Sequence, residues 1–204
     1  MYISPKNALR MIAAAALVSS AAAHAQAPAP TRIRGEIVAV DATTLTVHRR
    51  SGDTVKIAIT PDQAVGAVKN IKLSDIQKGA FIGTATKAAP GGKLVAMEVL
   101  VFPEAARGTG EGHYAWDLLP GSMMTNANVD TVATGVNGRT LQLSYKGGSQ
   151  EVLVPENTPV VTPVPAKRAD LIAGKKVFVV ANGTATNLTA ARILVEKDGV
   201  APPM

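Results

Sequence analysis

Residues 35–60 read GEIVAVDATTLTVHRRSGDTVKIAIT, and this stretch sets the fold class. Val38, Val40, Leu45, Val47, Val55, Ile57 and Ile59 follow the two-residue period of a strand with one buried face, and most are β-branched. Asp41-Ala42-Thr43 and Ser51-Gly52-Asp53 interrupt the pattern with turn chemistry. Strands are therefore expected near 33–40, 43–49 and 54–60. Two more are expected near 80–87 and 93–102, on either side of the turn Pro90-Gly91-Gly92. In the last of these, Met97 joins Val95, Val99 and Val101 on one alternating face, read as core.

The connection from Pro61 to Gly79 is longer, and a short helical turn is expected near Asp62–Val68. It closes with Asp75-Ile76-Gln77-Lys78-Gly79. Here Asp75 is expected to accept backbone N–H groups, Ile76 to plug the core, and Gly79 to take a positive φ.

The same series returns about 95 residues later. Thr44-Leu45-Thr46-Val47 matches Thr140-Leu141-Gln142-Leu143, and Ile59-Thr60-Pro61-Asp62 matches Leu153-Val154-Pro155-Glu156. Asp75-Ile76-x-x-Gly79 matches Asp170-Leu171-x-x-Gly174, and Val99-Leu100-Val101 matches Ile193-Leu194-Val195. Four matches in the same order indicate an internal duplication. In the second unit the turns are Asn137-Gly138, Gly147-Gly148 and Asn182-Gly183, and prolines from Pro155 to Pro165 argue against a long helix.

Five strands with a longer insert between the third and fourth fit an OB-like barrel. The expected architecture is all-β, with two tandem five-stranded OB-like barrels at 32–102 and 127–197. A five-stranded open sheet or half a sandwich is the alternative.

The N-terminus reads as an export signal. Lys6 and Arg10 precede the apolar run Met11–Val18, and Ala23-His24-Ala25 fits the small-x-small cleavage rule. Residues 1–25 are thus expected to be removed, leaving 26–31 as an unstructured lead-in, 103–126 as a linker and 198–204 as a tail. That places the protein in the periplasm with no membrane span after cleavage. Absence of Cys excludes disulfides, thiolate metal sites and Cys nucleophiles. The net charge of +6 is mild and unclustered, and only 3% of residues are aromatic. Single-stranded nucleic acid is not an expected partner, because stacking needs exposed rings.

The pattern Gly35-x-Ile37-x-x-Val40-Asp41, then Leu45-Thr46-Val47, then Asp75-Ile76-x-x-Gly79 resembles a family of exported bacterial OB-like domains of unknown function, often found in tandem. Similar chains sometimes carry a "metal transporter permease" label. The resemblance implies architecture, over about 32–102 and 127–197, and no chemistry.

Neither repeat accounts for residues 103–126, PEAARGTGEGHYAWDLLPGSMMTN. The one Trp of the chain, Trp116, lies here with His113, Tyr114, Met123 and Met124. One reading is a soft-metal site, with His113, Met123 and Met124 as ligands to Cu(I) or Ag(I) and Trp116 covering the ion. The other is a structural strap, in which Trp116, Leu118, Leu119 and a Met fill the groove between barrels while Gly108, Gly110 and Gly112 let the chain turn. Gly108–His113 lacks the Gly-Lys-Ser/Thr of a phosphate loop. No Ser/His/Asp set, nucleophile elbow or hydrolytic zinc spacing is present. The expected function is therefore a non-catalytic periplasmic binding or scaffolding module without a cofactor. Its expected partner is an envelope protein or polymer, with Trp116 and Tyr114 as candidate contact residues. The alternative is a Cu(I)/Ag(I) carrier.

Overall fold

A computed structural model describes residues 29–136 and 138–203. The expected signal segment 1–25, the start of the lead-in, and Asn137 of the Asn-Gly turn lie outside the described residues. Six strands make up the first segment: β1 Thr31–Val40, β2 Thr44–Arg49, β3 Thr54–Ala58, β4 Val65–Asn70, β5 Phe81–Ala88 and β6 Leu94–Val101. A short strand, β7 Gly112–Ala115, lies in the linker. The second segment repeats the order with β8 Met123–Gly135, β9 Gly138–Tyr145, β10 Gly148–Val154, β11 Val160–Ala166, β12 Lys176–Thr184 and β13 Asn187–Val195. No helix among the described residues is long and apolar enough to cross a membrane.

The strand pairing departs from the sequence expectation in one consequential way. Strands β8, β9 and β10 are antiparallel neighbours, β8 pairs with β5, and β5 pairs with β6. Strand β6 then returns to β10 in parallel through Val152↔Leu94 and Leu153↔Val95, closing a five-stranded barrel. Five of the remaining strands form a second cycle: β1, β2 and β3 in series, β1 to β12, β12 to β13, and β13 back to β3 through Leu188↔Ile57 and Thr189↔Ala58. Neither 32–102 nor 127–197 closes a ring by itself. Each ring takes three strands from one segment and two from the other.

The crossing is made by the long connections. In place of the short helical turn expected near Asp62–Val68, Val65–Asn70 is extended, with Val65, Ala67 and Val68 buried. It pairs antiparallel with β11, from Val161↔Asn70 to Ala166↔Val65. Pro163 and Pro165 are tolerated because pairing of β11 with β6 stops at Val161, so the missing N–H groups leave no ladder incomplete on that edge.

Each ring has its own core. Ile33, Leu45, Val47, Ile57, Val179 and Ile193 pack in the β1 ring, and Ile82, Val99, Val129, Leu141, Leu143 and Val152 in the β8 ring. The expected plugs are in place and fully enclosed: Ile76 is 0% exposed in the β8 ring and Leu171 is 3% exposed in the β1 ring. Before them, the carboxylates of Asp75 and Asp170 accept the backbone N–H groups of Lys72 (3.0 Å) and Lys167 (2.7 Å). Gly79 and Gly174 follow with φ of 84° and 87°, a region closed to most side chains. A third cluster, Val68, Leu100, Val161, Phe178 and Leu194, joins the two rings.

A bulge in each ring changes the reading of the last strand. The β5–β6 register moves from Ala85↔Glu98 to Thr86↔Ala96 and skips Met97. Ala96 and Val99 therefore face the core, Met97 does not join them, and Glu98 points away. The same shift in β12–β13, from Val180↔Arg192 to Ala181↔Ala190, turns Arg192 out of its ring while Ala190 and Ile193 stay in.

Candidate functional site: the cavity between the rings

The two bulges deliver Glu98 and Arg192 to a shared gap. On one side, β1, β12 and β13 place Arg32, Val180 and Arg192 in one row and Arg34, Phe178 and Leu194 in the next. On the other, β8, β5 and β6 place Met124, Ala85 and Glu98 in one row and Asn126, Gly83 and Leu100 in the next. A cavity of about 210 Å³ is lined by members of both panels and by the linker. Gly83 stands between its row neighbours as Phe178 does between its own, and it has to be small. A Cβ there would come within 2.6 Å of Asn126 Oδ1 and 3.1 Å of Phe102 Cε2.

The linker forms the roof. Strand β7 is held on β8 through Tyr114↔Met124 and Ala115↔Met123. Asn126 Nδ2 donates to the Tyr114 hydroxyl (3.2 Å) and to the Thr109 carbonyl (3.0 Å), locking the glycine-rich turn over the cavity. Gly110, with φ of 58°, packs so closely that a Cβ would meet Asn126 Nδ2 at 3.0 Å and the Tyr114 hydroxyl at 3.2 Å. From β7 the chain reaches the other ring. The Arg32 guanidinium lies 4.0 Å from the Trp116 ring centre, and Arg34 lies 5.6 Å from it and 5.1 Å from that of Phe178. Asp117 pairs with Arg34 at 2.9 Å and with Arg32 at 3.9 Å. Residues 103–126 thus hold both rings, as expected of a strap.

Two details of the strap differ from expectation. Trp116 is half-buried, since one face borders the cavity. Leu119 is 52% exposed, because Ser122 closes a tight loop that puts Leu119 at its tip. The Ser122 backbone N–H donates to the Leu119 carbonyl (3.0 Å), and the Trp116 N–H donates to the Ser122 carbonyl (2.9 Å).

The chain holds three Phe, three Tyr and one Trp, and four of these line this one cavity: Phe102, Tyr114, Trp116 and Phe178. Around them, polar atoms are left without partners. Glu98 Oε2, Arg34 Nε and Trp116 Nε1 are buried, and none makes a hydrogen bond among the described residues. Glu98 is 2% exposed and Arg34 is 9% exposed. An unsatisfied buried polar group typically costs about 1–3 kcal/mol, so two on residues lining one cavity, with a third on Arg34 of the neighbouring depression, is a concentrated penalty. Burial pushes the Glu98 carboxyl up to about 7, against the pull of Arg34 and Arg50. Burial also lowers the Arg192 guanidinium from its ordinary value, and it raises the Tyr114 phenol with slight opposition from Arg32. A second depression shares Arg32 and adds Arg34, Arg49, Arg50, Ser51 and Asp117, so the surroundings of the cavity carry surplus positive charge.

The sequence-predicted residues separate. Tyr114, Trp116 and Met124 line the cavity. His113 does not; its Nδ1 is 2.8 Å from Thr125 Oγ1 and its ring stacks on Tyr145 at 6.2 Å. Met123 sits opposite Ala115, on the His113 side of the β7–β8 ladder, whereas Met124 sits opposite Tyr114. Strand alternation therefore keeps Met124 on the other face from His113 and Met123, and the three are not brought to one point. Sequence reasoning missed Arg32, Arg34, Glu98, Phe102, Phe178 and Arg192. The bulges that aim Glu98 and Arg192 leave no mark in the apolar period. Phe178 lies in the buried cluster that joins the rings and Phe102 packs against it, so both look like core in the sequence.

Comparison with protein-family models, with characterised proteins and with solved structures finds no match to the chain.

Proposed function

We propose that the protein is a non-catalytic binding module, exported to the periplasm by residues 1–25, and that the cavity between its rings holds a small ligand. One observation carries this reading. A buried carboxylate and an indole N–H, both unpartnered, belong to residues that line a single aromatic-walled space. Folding alone favours pairing such groups or replacing them by apolar ones. A site that hydrogen-bonds a ligand requires them free.

The ring order supports an OB-like description. Three consecutive antiparallel strands are closed by a hairpin from the other segment, with one parallel joint, in a five-stranded barrel. The ordered matches between 32–102 and 127–197 support a duplication whose halves have exchanged their last two strands. On this reading the linker is the addition that turned a symmetric seam into a roofed pocket. A larger envelope protein or polymer would meet the outer surface.

The test is a titration with a neutral aromatic fragment, benzyl alcohol, followed on the indole N–H resonance of Trp116, which is the one Trp in the chain. A saturable shift at millimolar concentration, removed by filling the cavity with Met124→Phe, is the expected result. A resonance that stays put with every aromatic fragment would overturn the reading. Mass spectrometry of exported protein is expected to show Gln26 as the first residue; a mass retaining Met11–Val18 would contradict export with cleavage.

A further inference from the structure

The two panels differ in charge, and that difference points to a class of ligand. Arg32 and Arg192 flank Val180 in a single row across β1, β12 and β13. Adjacent strands lie about 4.8 Å apart, so the two backbones are roughly 10 Å apart and both long side chains reach the cavity, which both residues line. Their charge is poorly compensated. Arg192 makes no ion pair among the described residues, and Asp117 approaches Arg32 only at 3.9 Å while holding Arg34 at 2.9 Å. The one carboxylate lining the cavity is Glu98, and it sits on the opposite panel. Between the panels the walls are aromatic and aliphatic: Phe102, Tyr114, Trp116, Phe178, Leu100 and Val180. The open volume of about 210 Å³ suits one ring with a short substituent.

Resting on the reading that this cavity is the binding site, we propose that its ligand is a small aromatic carboxylate, with the ring against Phe102 and Trp116 and the carboxylate between the guanidinium groups of Arg32 and Arg192. A guanidinium meets a carboxylate with paired N–H donors, a geometry that an alcohol or amine cannot satisfy. The ring would displace water from the apolar cavity wall. Trp116 and Glu98 line the same space, with their unpartnered Nε1–H and Oε2 buried in its wall. Glu98 is faced by Arg34 and Arg50, with Arg32, Arg192 and Tyr114 around the cavity. An arriving anion favours the protonated carboxyl of Glu98, so binding takes up a proton near neutrality.

The experiment compares phenylacetate, benzyl alcohol and phenethylamine, which share a ring and differ in charge, by the Trp116 indole N–H shift at pH 6 and pH 8. Phenylacetate is expected to bind at least about tenfold more tightly than benzyl alcohol, and phenethylamine more weakly than either. Phenylacetate should also bind more tightly at pH 6 than at pH 8, a difference that disappears in Glu98→Gln. Arg192→Met is expected to bring phenylacetate down to the level of benzyl alcohol, and Arg32→Gln, at a half-exposed position, repeats that test if the first variant folds poorly. Equal affinity for phenylacetate and benzyl alcohol, or a preference for the amine, would overturn the ligand class and leave the cavity reading standing. No shift with any of the three would overturn both.

Discussion

The panel formed by β1, β12 and β13 and the panel formed by β8, β5 and β6 occupy equivalent places in the two rings, yet they carry opposite chemistry. The same bulge presents Arg192 on one and Glu98 on the other, and the same register presents Arg32 opposite Met124, Arg34 opposite Asn126 and Phe178 opposite Gly83. The two panels share one pairing pattern and differ in the side chains that face the seam. The ring interiors show the reverse: β-branched and leucine side chains fill both cores, with Ile76 and Leu171 plugging them alike. A seam serving only to hold the rings together would gain from apolar residues on both panels. Unpaired charge on one and an unpaired buried carboxyl on the other suit a seam that holds something else.

The largest effect is expected from making both panels cationic. Glu98→Lys would bury a further cation facing Arg34 and Arg50, at a cost of about 3–5 kcal/mol. Thermal unfolding should register this as a fall of more than about 10 °C; a melting temperature within a degree of wild type would contradict the burial of that position.

Neutralising the carboxyl should act in the opposite direction and depend on pH. Burial raises Glu98 from 4.5 to about 7, so the fold favours the protonated form. That contribution is fully present below pH 4.5 and is lost as pH rises through 7. Above pH 7 the ionised carboxyl costs up to about 3 kcal/mol, from the size of the shift. Glu98→Gln is thus expected to match wild type at pH 4.5 and to be more stable by up to that amount at pH 8, measured by urea unfolding at both values. Equal stability at pH 8 would sink this part of the account.

Removing the roof should cost less than the charge reversal at position 98. Trp116 is half-buried and stacks on Arg32, so Trp116→Ala is expected to lower stability by about 2 kcal/mol, below the 3–5 kcal/mol typical of an enclosed Trp. The smallest change is expected on the cationic panel. Arg192→Met exchanges a desolvated cation without an acidic partner for an apolar side chain of similar length, and should be neutral or stabilising by about 1 kcal/mol. A marked loss of stability would show that Arg192 has a structural partner.

Much of the local fold is legible in the sequence. Alternation located the strands around Ile37, Leu45, Ile57, Ile82 and Val99, and turn chemistry located Asp75 and Gly79, because those signals depend on near neighbours. Alternation reports which face is buried and is silent on which strand lies alongside. The exchange of strands between segments was therefore hidden, and so was the strand at Val65–Asn70, too short and too glycine-interrupted to show a period. Within the site, Tyr114, Trp116 and Met124 were found through their rarity. The same rarity suggested His113 and Met123, which one-residue alternation sends to the opposite face of β7 and β8. Arg32 and Arg34 look like an ordinary solvated strand face until a second ring is placed against them.

Both the cavity and its two unlike panels exist because each ring borrows two strands from the other segment, and the absence of Cys allows that to be tested directly. Thr189 and Ala58 are exposed, adjacent partners across the β13–β3 joint. In a protein whose segments closed their own rings, the partner of Ala58 would instead lie on β6, near Val95. Mild oxidation followed by peptide mapping is expected to find a disulfide in the Ala58→Cys/Thr189→Cys double variant and none in Ala58→Cys/Val95→Cys. The opposite pattern, a bond with position 95 and none with 189, would contradict the exchange of strands and remove the cavity with it.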